Sequence, residues 1–409
     1  MKRYIALFLA CFMLVVLAAG CSGSPSSSSP NPSAAPTSSP SSASKVIKIG
    51  IFEPASGMNG AGGKQDTLGI RYANYVKPTV KIGGEEYTVE LVEVDNQSDN
   101  SKAASAAQQL ISAGVSVVLG SYGSGVSIAA GQIFADAKIP AIGASCTNPQ
   151  VTEGNPYYFR ICFLDPFQGT VMANFAYDMG LRKAAVLTEA GDDYSVGLGH
   201  YFSEAFKKLG GSVVEAQFQS GETDFSATMA SFASAGIDVL FAPSSIESAP
   251  LIIKQARAAG ITCPIMAGDT WENETIIKNA GDAAYDVYLS AFFDPNDPSA
   301  AAREFVEGFT EWLKADNTRL TNNGGSTGVA GVSALGYDVY MVACAAIEAA
   351  QSTNGTAIRD ALLNLKYSGV TGECASFDEN GDAAKDMAYI KTIDLQAGTF
   401  NFLQTQTVS

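Results

Sequence analysis

The sequence predicts an α/β protein made of two doubly wound, parallel-sheet lobes. Short runs rich in β-branched residues alternate with helically spaced segments, the pattern of βαβ units. The alternation is interrupted by one longer helix and then restarts. About 365 residues follow a polar leader, a length that suits two lobes better than one.

In chain order, Val46–Phe52 is a β-branched strand followed by a Gly-rich turn, and Gly69–Val76 has helical spacing. Tyr87–Val94 alternates as a strand, and Ser101–Ala113 is an Ala-rich helix. Val115–Leu119 reads as a buried strand, Gly125–Ala137 as a helix and Pro140–Ile142 as a strand. Pro166–Met179 is the helix that follows the first passage between lobes. The second unit runs through strands at Ala184–Leu187, Val213–Phe218, Val239–Ala242 and Pro264–Ala267. Its helices are Val196–Leu209, Phe225–Ala235, Ala249–Ala259 and Glu272–Asn279. Beyond it, Ala300–Lys314, Ser333–Ala350 and Ala357–Leu365 read as helices returning to the first lobe. Thr371–Phe377, Met387–Asp394 and Phe400–Leu403 read as strands.

The N-terminus is a secretory signal: Lys2 and Arg3 precede the apolar run Ile5–Ala19, which ends in small residues. Leu17-Ala18-Ala19-Gly20-Cys21 resembles the lipobox of bacterial lipoproteins, which implies acylation of Cys21 and anchoring by buried CH₂ groups. Seventeen of residues 22–44 are Ser or Pro and none is large and apolar, so this stretch is a tether with a coil reach of roughly 25–30 Å. The expected organisation is a signal peptide over 1–20 and a lipidated Cys with its tether over 21–45. The first lobe would comprise 46–165 plus 296–375, and the second 166–295 plus 376–409.

The net charge of −16 becomes −18 once Lys2 and Arg3 are lost, which argues against nucleic-acid binding. Five cysteines lie in the folded part, with no CxxC, and His200 is the only histidine, so neither a zinc site nor a cofactor is expected. Cys146 and Cys162, separated by fifteen residues, are the candidate disulfide. Buried free thiols are the other reading.

Ligands of open parallel sheets sit beyond the carboxyl ends of the strands. The loops there are Glu53–Gly63, Gly120–Gly125, Gly143–Asn148, Glu189–Ser195, Pro243–Glu247 and Gly268–Trp271, polar and small in composition. Gly120–Gly125 opens a helix, and its N–H groups favour a carboxylate, although a tight turn would look the same. It lacks the GK[ST] of a phosphate loop. Ser145 and Thr147 offer hydroxyls that could equally be caps. Asp269 could meet an ammonium group, though taken alone it reads first as a helix N-cap. Trp271 could stack on a ligand side chain. Tyr194 could cover the ligand or simply pack.

Several short motifs, in their order and spacing, resemble the branched-chain amino acid (leucine/isoleucine/valine) binding proteins of ABC transporters, over about Val46–Phe402. They are Ile49-Gly50-Ile51 with Ser56-Gly57, Val117–Gly120 with Ser121–Ser124, and Pro140–Ile142 leading to Thr147-Asn148-Pro149. Phe159-Arg160 with Asp165–Gly169, Gln255–Gly260 and Phe377–Gly381 complete the set. The resemblance implies the type I periplasmic-binding-protein fold, two lobes joined by three hinge crossovers around a ligand cleft. It implies that Ser124, Ser145 and Thr147 hold the carboxylate and ammonium from lobe one, that Tyr194 covers the ligand and that Asp269 takes the α-ammonium. Tyr122, Ser245 and Trp271 complete the expected ligand-binding set. Gly62 and Ser245 stand where leucine binders carry tyrosines, so leucine specificity does not carry over. The family's lobe-one cysteine pair is also absent, with Asn96 and Gly123 near its places.

The function expected is a monomeric, extracytoplasmic, lipid-anchored solute-binding protein that delivers an amino acid to a membrane-embedded ABC permease. A binder of small amides or urea, or a receptor-linked sensor of the same fold, is the alternative. An enzyme is disfavoured: there is no GxSxG, metal set or phosphate loop. A lactose-repressor-type regulator is disfavoured by the signal and by the lack of a helix-turn-helix.

Overall fold

The computed structural model describes residues 45–408. The signal peptide, Cys21 and nearly all of the tether lie outside the described residues.

Six strands form the first sheet: β1 (Val46–Ile51), β2 (Thr79–Ile82), β3 (Glu85–Glu93), β4 (Val117–Leu119), β5 (Ala141–Gly143) and β6 (Tyr158–Arg160). Their spatial order is β2-β3-β1-β4-β5-β6, parallel except for β2 against β3. The second sheet contains β7 (Lys183–Ala190), β8 (Ser212–Gln219), β9 (Val239–Phe241), β10 (Ile265–Ala267) and β11 (Val287–Ala291). A small ribbon, β12 (Tyr367–Gly369) with β13 (Gly372–Ala375), comes before β14 (Met387–Asp394) and β15 (Thr399–Thr407), which rejoin the second sheet. The order there is β15-β14-β11-β10-β9-β7-β8, with β14 antiparallel to β11 and to β15. The central strands are buried apolar runs, as expected where helices cover both faces of a parallel sheet.

The helices are α1 (Gly60–Val76), α2 (Asn100–Ala113), α3 (Ser124–Asp136), α4 (Asp165–Asp178), α5 (Asp193–Lys208) and α6 (Ser226–Ala235). They continue as α7 (Ala249–Ala258), α8 (Glu274–Ala280), α9 (Ala300–Lys314), α10 (Asn317–Asn322), α11 (Gly331–Ala350) and α12 (Gly355–Leu362). The chain crosses between the sheets three times: before α4, after β11 and before β14. The fold is thus α/β with two parallel-dominated lobes. Residues 377–383 run beside β6, with Arg160 bridging Asp382, so the third crossing comes after Ala383.

Two differences from the sequence reading have local causes. Strands β2, β6 and β11 are absent from the sequence reading: β6 and β11 are short, and the Gly83-Gly84 turn makes β2 the short outer arm of a hairpin with β3. The strand expected over Thr371–Phe377 is shorter, spanning Gly372–Ala375, and pairs with β12 in a separate ribbon.

Helix α11 is long and apolar enough to cross a membrane by length and composition, but 78% of its most apolar window is buried. Its partner is α1, and glycines permit the contact. A Cβ on Gly69 would lie 2.0 Å from the Ser333 carbonyl oxygen, and one on Gly336 would lie 2.2 Å from that of Asp66. This close packing holds the first turns of α1 against the first lobe.

The Cys146–Cys162 disulfide is not formed, and both thiols are free and buried. Cys146 packs with Phe52, Phe134 and Tyr158 beneath α2 and α3, whereas Cys162 joins Phe163 and Phe292 at the crossings. Proximity in sequence says nothing about which core each side chain enters.

Arg160, fully buried, ties the region together. Its Nε donates to Asp382 Oδ1 at 2.5 Å, and Nη1 donates to the carbonyls of Cys146 (2.9 Å) and Asn148 (2.5 Å). Nη2 donates to Thr152 Oγ1 at 2.9 Å, and that hydroxyl also donates to Asp382. Asp382→Ala leaves a buried guanidinium without its counter-charge and is expected to cost about 3–5 kcal/mol. A clear fall in thermal midpoint checks this; an unchanged midpoint would remove Arg160 from its organising role.

Candidate functional site: the interlobe cleft

The carboxyl ends of the two sheets face each other. The first lobe presents the turn after β1, the first turns of α1, the β4–α3 turn and the loop after β5. The second presents the β7–α5, β9–α7 and β10–α8 loops, with the start of α4 alongside. The two sets touch. Asn59 Oδ1 accepts from Ile246 N at 3.1 Å, and Asn148 Nδ2 donates to the Asp193 carbonyl at 2.8 Å. Asn273 Nδ2 donates to Gln65 Oε1 at 2.9 Å, and Tyr122 Oη donates to the Thr270 carbonyl at 3.4 Å. The cleft is therefore shut.

Asp269, just after β10, is buried at its centre. Its Oδ1 accepts from Gln168 Nε2 at 2.6 Å and from Tyr194 Oη at 3.2 Å. Burial pushes its pKa up to about 7, against the pull of those two hydrogen bonds. The phenols of Tyr122 and Tyr194 are pushed well above their ordinary value by burial, and Asp269 adds to the shift of both. The structure thus gathers Tyr122, Tyr194 and Asp269 into one cluster.

On the lobe-one side, Ser124 begins α3 and its Oγ accepts from Asn148 N at 3.2 Å. Ser145 Oγ donates to Asp66 Oδ2 at 3.4 Å. Thr147 Oγ1 is buried beside Asp165 without a well-formed hydrogen bond. Two expected residues turn to their own lobe. Trp271 is buried, with Nε1 donating to the Ser244 carbonyl at 3.2 Å, and Ser245 Oγ donates to Ser248 Oγ at 2.8 Å. Gly62 lies against Tyr122, since a Cβ there would come within 2.5 Å of the phenol ring. The aromatic volume on this wall therefore comes from the β4–α3 turn.

Sequence reasoning missed four polar residues here: Glu53, Asp66, Asp165 and Gln168. Glu53 lay inside a loop already named, but no partner in the sequence singled it out. Asp66 shares a helical stripe with Gly69, Ile70 and Ala73, all buried, so a carboxylate on an apolar face was the available signal. Burial raises Asp66 to about 8 and Glu53 well above the carboxylate range, and Asp66 adds to the shift of Glu53. A cavity of about 280 Å³ opens beside the cluster. Gln65, Glu272, Asp294, Asn323, Lys391 and Phe400 are among the residues that line it, and none of the eight expected ligand residues does.

A model of the periplasmic binding protein family matches residues 46–397, and the chain belongs to that family. It is a binding protein rather than an enzyme, and extracytoplasmic by family. A Leu/Ile/Val-binding protein homolog of Brucella abortus is 30% identical over 270 residues, covering 65% of this chain and 71% of its own. The leucine-binding protein LivK of Thermotoga maritima is 34% identical with a TM-score of 0.81, covering 88% of this chain and 99% of that one. LivJ of Streptococcus pneumoniae, solved with isoleucine, is 28% identical with a TM-score of 0.77, covering 89% and 99%.

The buried carboxyls make stability depend on pH. Asp66 and Asp269 titrate at about 8 and 7 when folded, against roughly 3.9 when unfolded. Over that interval the folded state holds more protons, so stability present at low pH is lost as pH rises through the folded values. Protein stripped of solute is expected to melt at progressively lower temperature from pH 5 to 8.5. Asp66→Asn should flatten that slope, and an equal slope in the variant would contradict the assignment.

Proposed function

We propose that this member of the periplasmic binding protein family is a lipid-anchored receptor that captures an amino acid between its lobes and delivers it to a membrane-embedded ABC permease. The observation that carries the reading is the pairing across one cleft of two complementary sets. The Asp269–Tyr194–Gln168 cluster, which suits an α-ammonium, comes from the second lobe and the crossing helix. The N-terminus of α3 with Ser124, Ser145 and Thr147, which suits a carboxylate, comes from the first. An α-amino acid presents that dipole. Similarity to a leucine-binding protein and to one solved with isoleucine supports the same class.

Solute enters the open cleft and meets Ser124, Ser145 and Thr147. Hinge closure at the crossings then brings Tyr194 and Asp269 onto it, with Tyr122 closing the wall. The closed form docks, as a monomer, on the permease. Trp271 and Ser245 shape the pocket by supporting the β9 and β10 loops. Cys21 holds the protein at the membrane, and residues 22–45 give it reach.

A thermal-shift screen of all amino acids, small amides and urea on stripped protein tests the class. Saturation at a hundredfold excess over Kd stabilises by about 2.7 kcal/mol. One or a few amino acids should raise the melting temperature, whereas shifts with amides or urea alone would move the substrate. Asp269→Ala is expected to weaken amino-acid binding about a hundredfold or more while the protein stays folded; unchanged affinity would sink the assignment. Cys21→Ala should move the protein from the membrane fraction to the soluble one, and retention at the membrane would contradict the lipid anchor.

A further inference from the structure

The dipole of an α-amino acid leaves part of the cleft without a task. Glu53 and Asp66 are 3% and 0% exposed. Glu53 Oε2 accepts the Tyr122 N–H at 2.6 Å, but Oε1 has no hydrogen-bond partner. Asp66 Oδ2 takes the long bond from Ser145, and Oδ1 has none. Tyr122 links the three acids: its N–H donates to Glu53, its ring lies against Gly62, one turn before Asp66, and its hydroxyl reaches the Thr270 carbonyl beside Asp269.

No cation balances them among the described residues. The buried basic side chains are Arg160 and Lys391. Arg160 is committed to Asp382 and to the carbonyls of the lobe-one loop, and Lys391 is paired with Glu272. Two like carboxylates placed together in a low-dielectric interior repel, and a positive group between them turns that repulsion into attraction.

We propose that the solute is an α-amino acid with a cationic side chain, whose α-ammonium meets Asp269 and whose side-chain cation lies between Glu53 and Asp66. The proposal rests on the amino-acid reading of the cleft given above. Tyr122 stands where its ring can flank the alkyl stem and the charge. A branched aliphatic side chain would leave both acids buried, protonated and without a counter-charge to ionise against.

The decisive comparison is calorimetric titration of the stripped, full-length protein with L-lysine, L-arginine and L-ornithine against L-norleucine and L-leucine. Norleucine matches lysine up to its terminal ammonium, so the pair isolates that charge. At least one basic amino acid should bind about a hundredfold more tightly than norleucine. Glu53→Gln and Asp66→Asn should shrink that preference by about tenfold each. Both variants remove a buried like charge, so they should melt no lower than the parent at pH 8. Equal or tighter binding of leucine or norleucine would overturn the cationic side chain and leave the amino-acid receptor standing. Binding of no amino acid at all would overturn both. A basic preference that survives both substitutions would overturn the role given to Glu53 and Asp66.

Discussion

The cleft depends on one buried guanidinium. Arg160 ends the last strand of the first sheet, at the point where the chain leaves for the second lobe. It satisfies the carbonyls of Cys146 and Asn148, which flank Thr147, and it pairs with Asp382 just before the third crossing. One charged group therefore sets the shape of the hydroxyl-bearing loop and anchors two of the three connections about which the lobes would turn. A buried charge is tolerated only when every donor finds a partner, and here each nitrogen does.

Around that anchor the two lobes do different physical work. The first lobe is rigid at its cleft edge, because Gly69 and Gly336 let α1 and α11 touch backbone to backbone. It offers hydroxyls, a helix N-terminus and two carboxyls in fixed places. The second lobe brings Tyr194 and Asp269 on loops that follow its strands, and α4 contributes Gln168 from the crossing. The groups that meet across the cleft come from both lobes and from the crossing helix, and no single lobe holds them all.

The electrostatics of the cleft are one-sided. Its carboxyls are buried, raised in pKa and incompletely hydrogen-bonded, while the basic side chains nearby are already paired. Such an interior is held in place by the fold rather than favoured by it. The same one-sidedness ties stability to proton uptake, because both follow the charge on Asp66 and Asp269.

Much of this was legible in the sequence. Periodicity and β-branched runs reveal most strands of the two sheets, though not β2, β6 or β11, and nearly all the covering helices, because burial on two faces leaves a local signature. The loops after those strands locate the cleft, and Asp269, Tyr194, Ser124, Ser145 and Thr147 stand in them. The rest depends on contacts between distant segments. That Cys146 and Cys162 enter different cores, that the Trp271 indole N–H finds Ser244, and that Asp66 lies buried against Ser145 follow from tertiary packing alone. Local pattern determined the elements and their edges. Only the tertiary structure decided which charges share the interior, because electrostatic neighbours hundreds of residues apart, such as Arg160 and Asp382, leave no periodic trace.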